Sequence, residues 1–136
     1  MKSKKQKNTF NNVENKISYI VLDFDGVLTD NKVYLDQNGV EFVQCSRADG
    51  LAIDVLTKLK YNVFIVSTEK NSVVSVRGNK LEVPVVQGVE NKKSKLLEMK
   101  TKNQIDLNET MYVGNDLNDY LVMQVCGHTA CPIDSH

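Results

Sequence analysis

The stretch 21-VLDFDGVLTD-30 runs an apolar segment into three carboxylates, Asp23, Asp25 and Asp30, with a single glycine, Gly26, among them. A strand built for burial can end in acids only where they are paired or hold a metal, because an isolated buried carboxylate is costly. Two residues apart along a strand, Asp23 and Asp25 point to the same side. Carboxylates that close repel, so one is protonated or a cation holds both. Oxygen-only ligands of this kind suit Mg²⁺, which keeps several waters and takes one or two carboxylates together with a phosphate. Gly26 allows a tight turn that leaves neighbouring amides free to approach an anion.

Outward from this stretch, short apolar runs alternate with helical patterns. ISYIVLDF at 17–24, NVFIVS at 62–67, VPVV at 83–86 and TMYVG at 110–114 read as strands, and HTACPI as a last short one. Between the first two, Leu51, Ala52, Val55, Leu56 and Leu59 recur at helical spacing behind Asp49 and Gly50. NSVVSVRGNKLE, KSKLLEMKTK and LNDYLVMQVCG supply further helices, the last stopped by Gly127. This alternation predicts βαβ units, hence an α/β fold around a mostly parallel sheet. KVYLDQNGVEFVQC, residues 32–45, breaks the pattern: two period-two runs around Asn38-Gly39 predict a β-hairpin inserted after the first strand. Its edges and its apolar Val33, Leu35, Val40 and Phe42 need cover, from a second subunit or from their own domain.

With 136 residues, 41% of them apolar, the chain has material for one core. The reading is a flexible basic tail over 1–15, opened by MKSKKQK, followed by a single domain over 16–136. Seventeen basic and seventeen acidic residues cancel, which argues against nucleic acid or a membrane surface as partner. No apolar run reaches the length of a membrane span and the polar start lacks a secretory core, so a cytoplasmic location is expected. Cys45, Cys126 and Cys131 form no CxxC pair and read as small buried hydrophobes. His128 and His136 have no ligand-like spacing.

The other strand ends also carry chemistry. The second run ends in Ser67 and Thr68, hydroxyls able to bind phosphate oxygens; VPVVQG leads to Asn91, Lys92 and Lys93; TMYVG leads to Asn115, Asp116, Asn118 and Asp119. Each has a plain local explanation, as helix caps for Ser67, Asn71 and Asp116 or a solvated face for the lysines. In open α/β sheets, however, sites gather at the carboxyl ends of the strands, where the strand order reverses. Acid, hydroxyl, cation and acid at four such ends form one set.

That set, DxDG, then Ser or Thr, then Lys, then GNDLND, resembles the four motifs of the haloacid dehalogenase superfamily over residues 17 to about 134. The resemblance implies a three-layer Rossmann-like fold, and no insertion is long enough to form a cap domain. It implies a phosphatase in which Asp23 is the nucleophile and Asp25 the general acid and base. Ser67 and Lys92 would neutralise the phosphoryl oxygens, with Gly26 and Thr68 beside them. Mg²⁺ would be held by Asp23, Asp25 and the GND segment, drawing on Asn115, Asp116 and Asp119.

DGVLTD, the hairpin, SRADG at 46–50 and QGVENK at 87–92 are similar to a capless subfamily. It comprises 3-deoxy-octulosonate 8-phosphate phosphatases and phosphatases or domains linked to sialic-acid-type nonulosonates, enzymes of surface-glycan precursor synthesis. Members are homotetramers joined through their hairpins, which implies a homotetramer through 32–45 here. Glu69 in STEKN, with Lys80, is similar to the pair of the nonulosonate 9-phosphate enzymes, which implies a nine-carbon keto-sugar acid. Arg47 and Asp49 either contact sugar from a neighbour or cap the helix at 50. Two departures stand out: Asn115 replaces the first acid of the usual GDD, and the family's C-terminal tail is absent, which implies a more open and less selective site. The alternative function implied is a catalytically weak oligomerisation or regulatory domain partnering a cytidylyltransferase.

Overall fold

The computed structural model describes residues 16–136; the lysine-rich start lies outside them. In chain order the described strands are β1 (Tyr19–Leu22), β2 (Thr29–Leu35), β3 (Glu41–Cys45), β4 (Asn62–Val66), β5 (Val85–Val86), β6 (Thr110–Val113) and β7 (His128–Ala130). The helices are α1 (Arg47–Lys58), α2 (Val73–Leu81), α3 (Lys92–Thr101) and the single turn α4 (Tyr120–Met123). Five strands form a parallel sheet in the order β5-β4-β1-β6-β7.

Burial on both faces explains why this sheet is parallel and apolar throughout. In β1, Ile20 turns to one face and packs with Phe24, Ile53, Val63, Ile65 and Val74, under α1 and α2. Val21 turns to the other, with Val66, Leu96, Met99, Tyr112 and Val122, under α3 and α4. The result is the expected three-layer arrangement, with helices on both sides of the sheet, and among the described residues no cap domain stands over the strand ends. No described helix is long and apolar enough to cross a membrane.

The chain leaves β1 toward β4 and β5 and returns across it to β6 and β7. Strand order therefore reverses at β1, and the carboxyl ends of β1, β4 and β6 share one crevice.

The hairpin is present as a separate antiparallel pair, with Val33 opposite Val43 and Tyr34 opposite Phe42. Its turn is held by Asp36, whose Oδ1 accepts from the amides of Asn38 (2.8 Å) and Val40 (2.9 Å), while Gly39 takes φ +80°. The register slips between Thr29 and Val33, where Asn31 has φ 61°. Val33, Tyr34, Leu35, Val40 and Phe42 are all exposed, Leu35 to 67%.

Several expectations change. α1 begins at Arg47, capped by the Ser46 hydroxyl, and Asp49 falls in its first turn, where its carboxyl takes the Ser46 amide. Its apolar stripe faces the core only in part: Leu56 packs against it beside the buried Ile53, while Leu51, Val55 and Leu59 are exposed. The helix at 117–127 shrinks to a 3₁₀ turn and α4, both ending before Gly127. Gly127 is required for another reason: a side chain there would meet the Asn108 carbonyl at 2.0 Å. Cys131 is exposed, while Cys45 and Cys126 are half-buried.

Candidate active site

β1 stops at Leu22, so Asp23 and Asp25 lie in the turn that follows and not on the strand's pleat. Phe24 between them is fully buried and anchors that turn: its carbonyl accepts from the amides of Val27 (3.3 Å) and Leu28 (2.8 Å). Asp23 is held against β6 by its amide, which donates to the Val113 carbonyl at 2.9 Å. Gly26 takes φ +80°, as the turn requires. Its own amide donates to the Thr29 hydroxyl (3.1 Å). Among the amides of residues 24 to 28, that of Asp25 alone has no acceptor within the described residues.

Asp23, Ser67, Lys92, Asn115 and Asp119 are buried polar residues at this end of the sheet. β4 lies beside β1 with Ile65 opposite Leu22, which carries Ser67 to the same edge as Asp23. Lys92 is the first residue of α3, capped by Asn91, whose side chain accepts from the Ser94 amide (2.9 Å). The buried ammonium of Lys92 donates to Asp23 Oδ1 (2.8 Å) and to Asp119 Oδ1 (2.7 Å). Asp23 Oδ1 also takes the Phe24 amide at 2.7 Å, while its Oδ2 takes no hydrogen bond from the described residues.

One ammonium thus serves two buried carboxylates, with Asp25 nearby. Burial pushes the Asp23 carboxyl up to about 6, against the opposing pull of Lys92 and with a further push from Asp119. Asp25 is also raised, by burial first and then by the charges of Glu69 and Glu41, with Lys92 opposing. Burial acts on Asp119 too, but hydrogen bonds from Lys92 and Tyr112, the ammonium charge and the Asn115 amide outweigh it and hold that carboxyl low.

Asp119, expected among the metal ligands, is taken up by the protein. Oδ1 accepts from Lys92 and from the Tyr112 hydroxyl (2.7 Å), and Oδ2 from the amides of Asn115 (3.1 Å) and Asp116 (3.4 Å). It braces the site from behind. Asp116 caps the 3₁₀ turn 117–119. The Asn115 side chain lies so close to Gly26 that a Cβ there would sit 1.9 Å from its Nδ2. A net negative, all-oxygen donor set with a free Asp23 oxygen fits a hard divalent cation. No three His, Cys, Asp or Glu side chains converge among the described residues, so any such ion would rely on Asn115, backbone oxygen and water.

Toward the hairpin, Asp25, Asn31, Glu41, Glu69, Asn71 and Val73 line a cavity of about 240 Å³. Glu69 Oε1 accepts from the amides of Lys70 (2.7 Å) and Asn71 (2.8 Å), which fixes it at the rim. Thr68 is exposed beside it. Lys80 does not join Glu69: it occupies the last turn of α2, beside Asp54, Thr57 and Glu82, with the length of the helix between the two. Arg47 is exposed at the start of α1, and Asp49 faces Arg77 and a second cavity with Asp30 and Cys45. Sequence reasoning missed Tyr112 and Glu41. A tyrosine in a fully buried strand was the available signal, since its hydroxyl must find a partner.

Fold and site together define an α/β protein with a buried carboxylate just past its central strand, a cation from a later helix and a braced acidic loop opposite. The chain belongs to the haloacid dehalogenase (HAD) superfamily. It is 39% identical, with a TM-score of 0.85, to a chain from Streptomyces avermitilis MA-4680 assigned to the HAD family of hydrolases, covering 89% of this chain and 70% of that one. It is 32% identical over 121 residues to the 3-deoxy-D-manno-octulosonate 8-phosphate phosphatase KdsC of Salmonella typhi. That match takes in 88% of this chain and 64% of the relative, so the chain spans less than two thirds of the length of the curated relatives it matches. The phosphatase of the same name from Moraxella catarrhalis, solved with a magnesium ion, a phosphate ion and a KDO molecule, shares the fold at 24% identity. Its TM-score is 0.82, over 88% of this chain and 70% of that one. No family model matches the chain.

Proposed function

We propose that this protein is a Mg²⁺-dependent phosphatase that hydrolyses the phosphate ester of a keto-sugar acid by way of an aspartyl-phosphate. The observation that carries this reading is the asymmetry of Asp23: Oδ1 is held by Lys92 and the Phe24 amide, and Oδ2 is left without a protein donor. In the first step a carboxylate oxygen of Asp23 attacks phosphorus, the ester P–O bond breaks, and the leaving alcohol takes a proton from Asp25. In the second step Asp25 removes a proton from water, which attacks phosphorus and releases phosphate and the Asp23 carboxylate. Burial, and then the charge of Glu69, raise the Asp25 carboxyl in the direction this role needs. Lys92, the Ser67 hydroxyl and the amide of Asp25 face the charge that develops on the phosphoryl oxygens. Mg²⁺, held by Asp23, Asp25 and Asn115, would neutralise phosphoryl charge when bound.

The substrate class rests on likeness to the octulosonate phosphatases and on the cavity behind Asp25. The preference for a nine-carbon over an eight-carbon acid rests on the likeness of Glu69 and Lys80 to the nonulosonate enzymes, and of the two only Glu69 lines the cavity behind Asp25. Assembly as a homotetramer through 32–45 belongs to the same reading, supported by the exposed apolar hairpin. So does a reducing, cytoplasmic setting, supported by three free thiols.

The deciding experiment is phosphate release from an octulosonate 8-phosphate, a nonulosonate 9-phosphate and generic phosphate esters, with and without Mg²⁺, beside Asp23→Asn. Metal-dependent turnover lost in Asp23→Asn is the expected result, and no turnover above that control on any ester would refute the reading. Asn115 favours a second one, a catalytically weak domain that partners a cytidylyltransferase, because an amide brings less charge to a cation than a carboxylate. Restoration of turnover by Asn115→Asp alone would support it.

A further inference from the structure

Tyr112 lies on β6 with its whole side chain buried, and nothing in the reaction above uses it. Its hydroxyl donates to Asp119 Oδ1 at 2.7 Å, the same oxygen to which Lys92 donates at 2.7 Å. The two amides of the acidic loop occupy Asp119 Oδ2, so its carboxylate cannot rotate without giving up hydrogen bonds on both oxygens. Lys92 has three N–H donors: one goes to Asp119, one to Asp23, and one is left. Where that third donor points depends on how strongly Asp119 draws the ammonium. A second donor on the shared oxygen weakens its pull on the first.

We propose that Tyr112 is a positioning residue for phosphoryl transfer: its hydroxyl shares Asp119 Oδ1 with Lys92 and so sets the ammonium between Asp119 and Asp23, with one N–H free for the phosphoryl group. Without the hydroxyl, Asp119 Oδ1 has Lys92 as its one remaining donor and draws the ammonium back from Asp23. The phenol ring fills core space that phenylalanine fills equally well, so the effect is separable from packing. The inference rests on the phosphatase reading for its consequence, but the arrangement of Lys92 can be read without turnover.

The experiment compares wild type with Tyr112→Phe, following the Lys92 ammonium ¹⁵N resonance by NMR alongside steady-state kinetics and vanadate inhibition. The resonance is expected to move in the variant. kcat is expected to fall about tenfold, the size of one neutral hydrogen bond, and vanadate to bind more weakly by a similar factor, with KM within about twofold. A merely structural role would move kcat and KM together or lower the melting temperature without moving the resonance. Incorporation of 3-fluorotyrosine, a stronger donor of nearly the same shape, is the second variant and should shift the resonance the opposite way. An unmoved resonance in both overturns the proposal, as does unchanged kcat in an active enzyme. A moved resonance in a protein whose wild type hydrolyses no ester supports the placement of Lys92 and refutes the phosphatase reading instead.

Discussion

At the carboxyl end of the parallel sheet, Asp23, Lys92, Asp119 and Tyr112 are shut away from water and satisfy one another; a short way along the chain, β2 and β3 hold Val33, Tyr34, Leu35 and Phe42 in the open. The first region is costly in charge and tied together by hydrogen bonds, with Asp23 Oδ2 and one Lys92 N–H left open. The second has a secure turn and its own ladder, but no cover for its apolar side chains. The buried cluster is thus completed within one chain, whereas the hairpin leaves its apolar side chains uncovered. The two regions meet at the cavity behind Asp25, where Asn31 and Glu41 of the hairpin face Glu69.

That contrast can be broken most forcefully at Lys92. Lys92→Met leaves two buried carboxylates without their shared counter-ion and is expected to cost about 3–5 kcal/mol in urea unfolding, with turnover lost as well. A loss under 1 kcal/mol would mean that water or ions reach the site freely. The hairpin should respond in the opposite way. Leu35→Ser with Phe42→Ser removes apolar surface already in water, so the monomer should change by no more than about 0.5 kcal/mol. Light scattering is expected to show a tetramer reduced to monomers, and an assembly that survives both changes would place its interface elsewhere.

A finer test uses pH on the metal-free protein. Asp23 titrates near 6 when folded, above its ordinary value of 3.8, so the folded chain binds this proton more tightly than the unfolded one. Its contribution is therefore most favourable below pH 4 and is lost as pH rises through 6, a change on the order of a few kcal/mol. The difference between wild type and Asp23→Asn across that window isolates it from Asp119, which acts with the opposite sign. Equal pH dependence in the two proteins would show that Asp23 is not desolvated. The smallest expected effect is that of Lys80→Ala, with KM within about twofold of wild type, since the residue stands at the far end of α2.

Most of the fold was legible because the central strands β1 and β4 carry apolar side chains toward both faces of the sheet, and because Asn38-Gly39 marks its own turn. The acids at the end of β1 were legible for the complementary reason, as charge where burial was expected. Periodicity failed at α1: Leu51, Val55 and Leu59 define a stripe, but spacing alone does not say what covers it. Asp119 was misread because its four donors come from β6, α3 and its own loop, a convergence that no local pattern encodes.

The placing of β1 at the centre of the sheet carries a consequence for how the chain comes into being. Tyr19 is aligned with Asn62 on one side and with Thr110 on the other, so the middle strand is made before both of its neighbours and finds the second only long after the first. Pairings that distant close slowly, and a ribosome making this protein holds an apolar strand with two open edges while it waits. The strand that leads into Asp23 is thus left open to mispairing until β6 has been made.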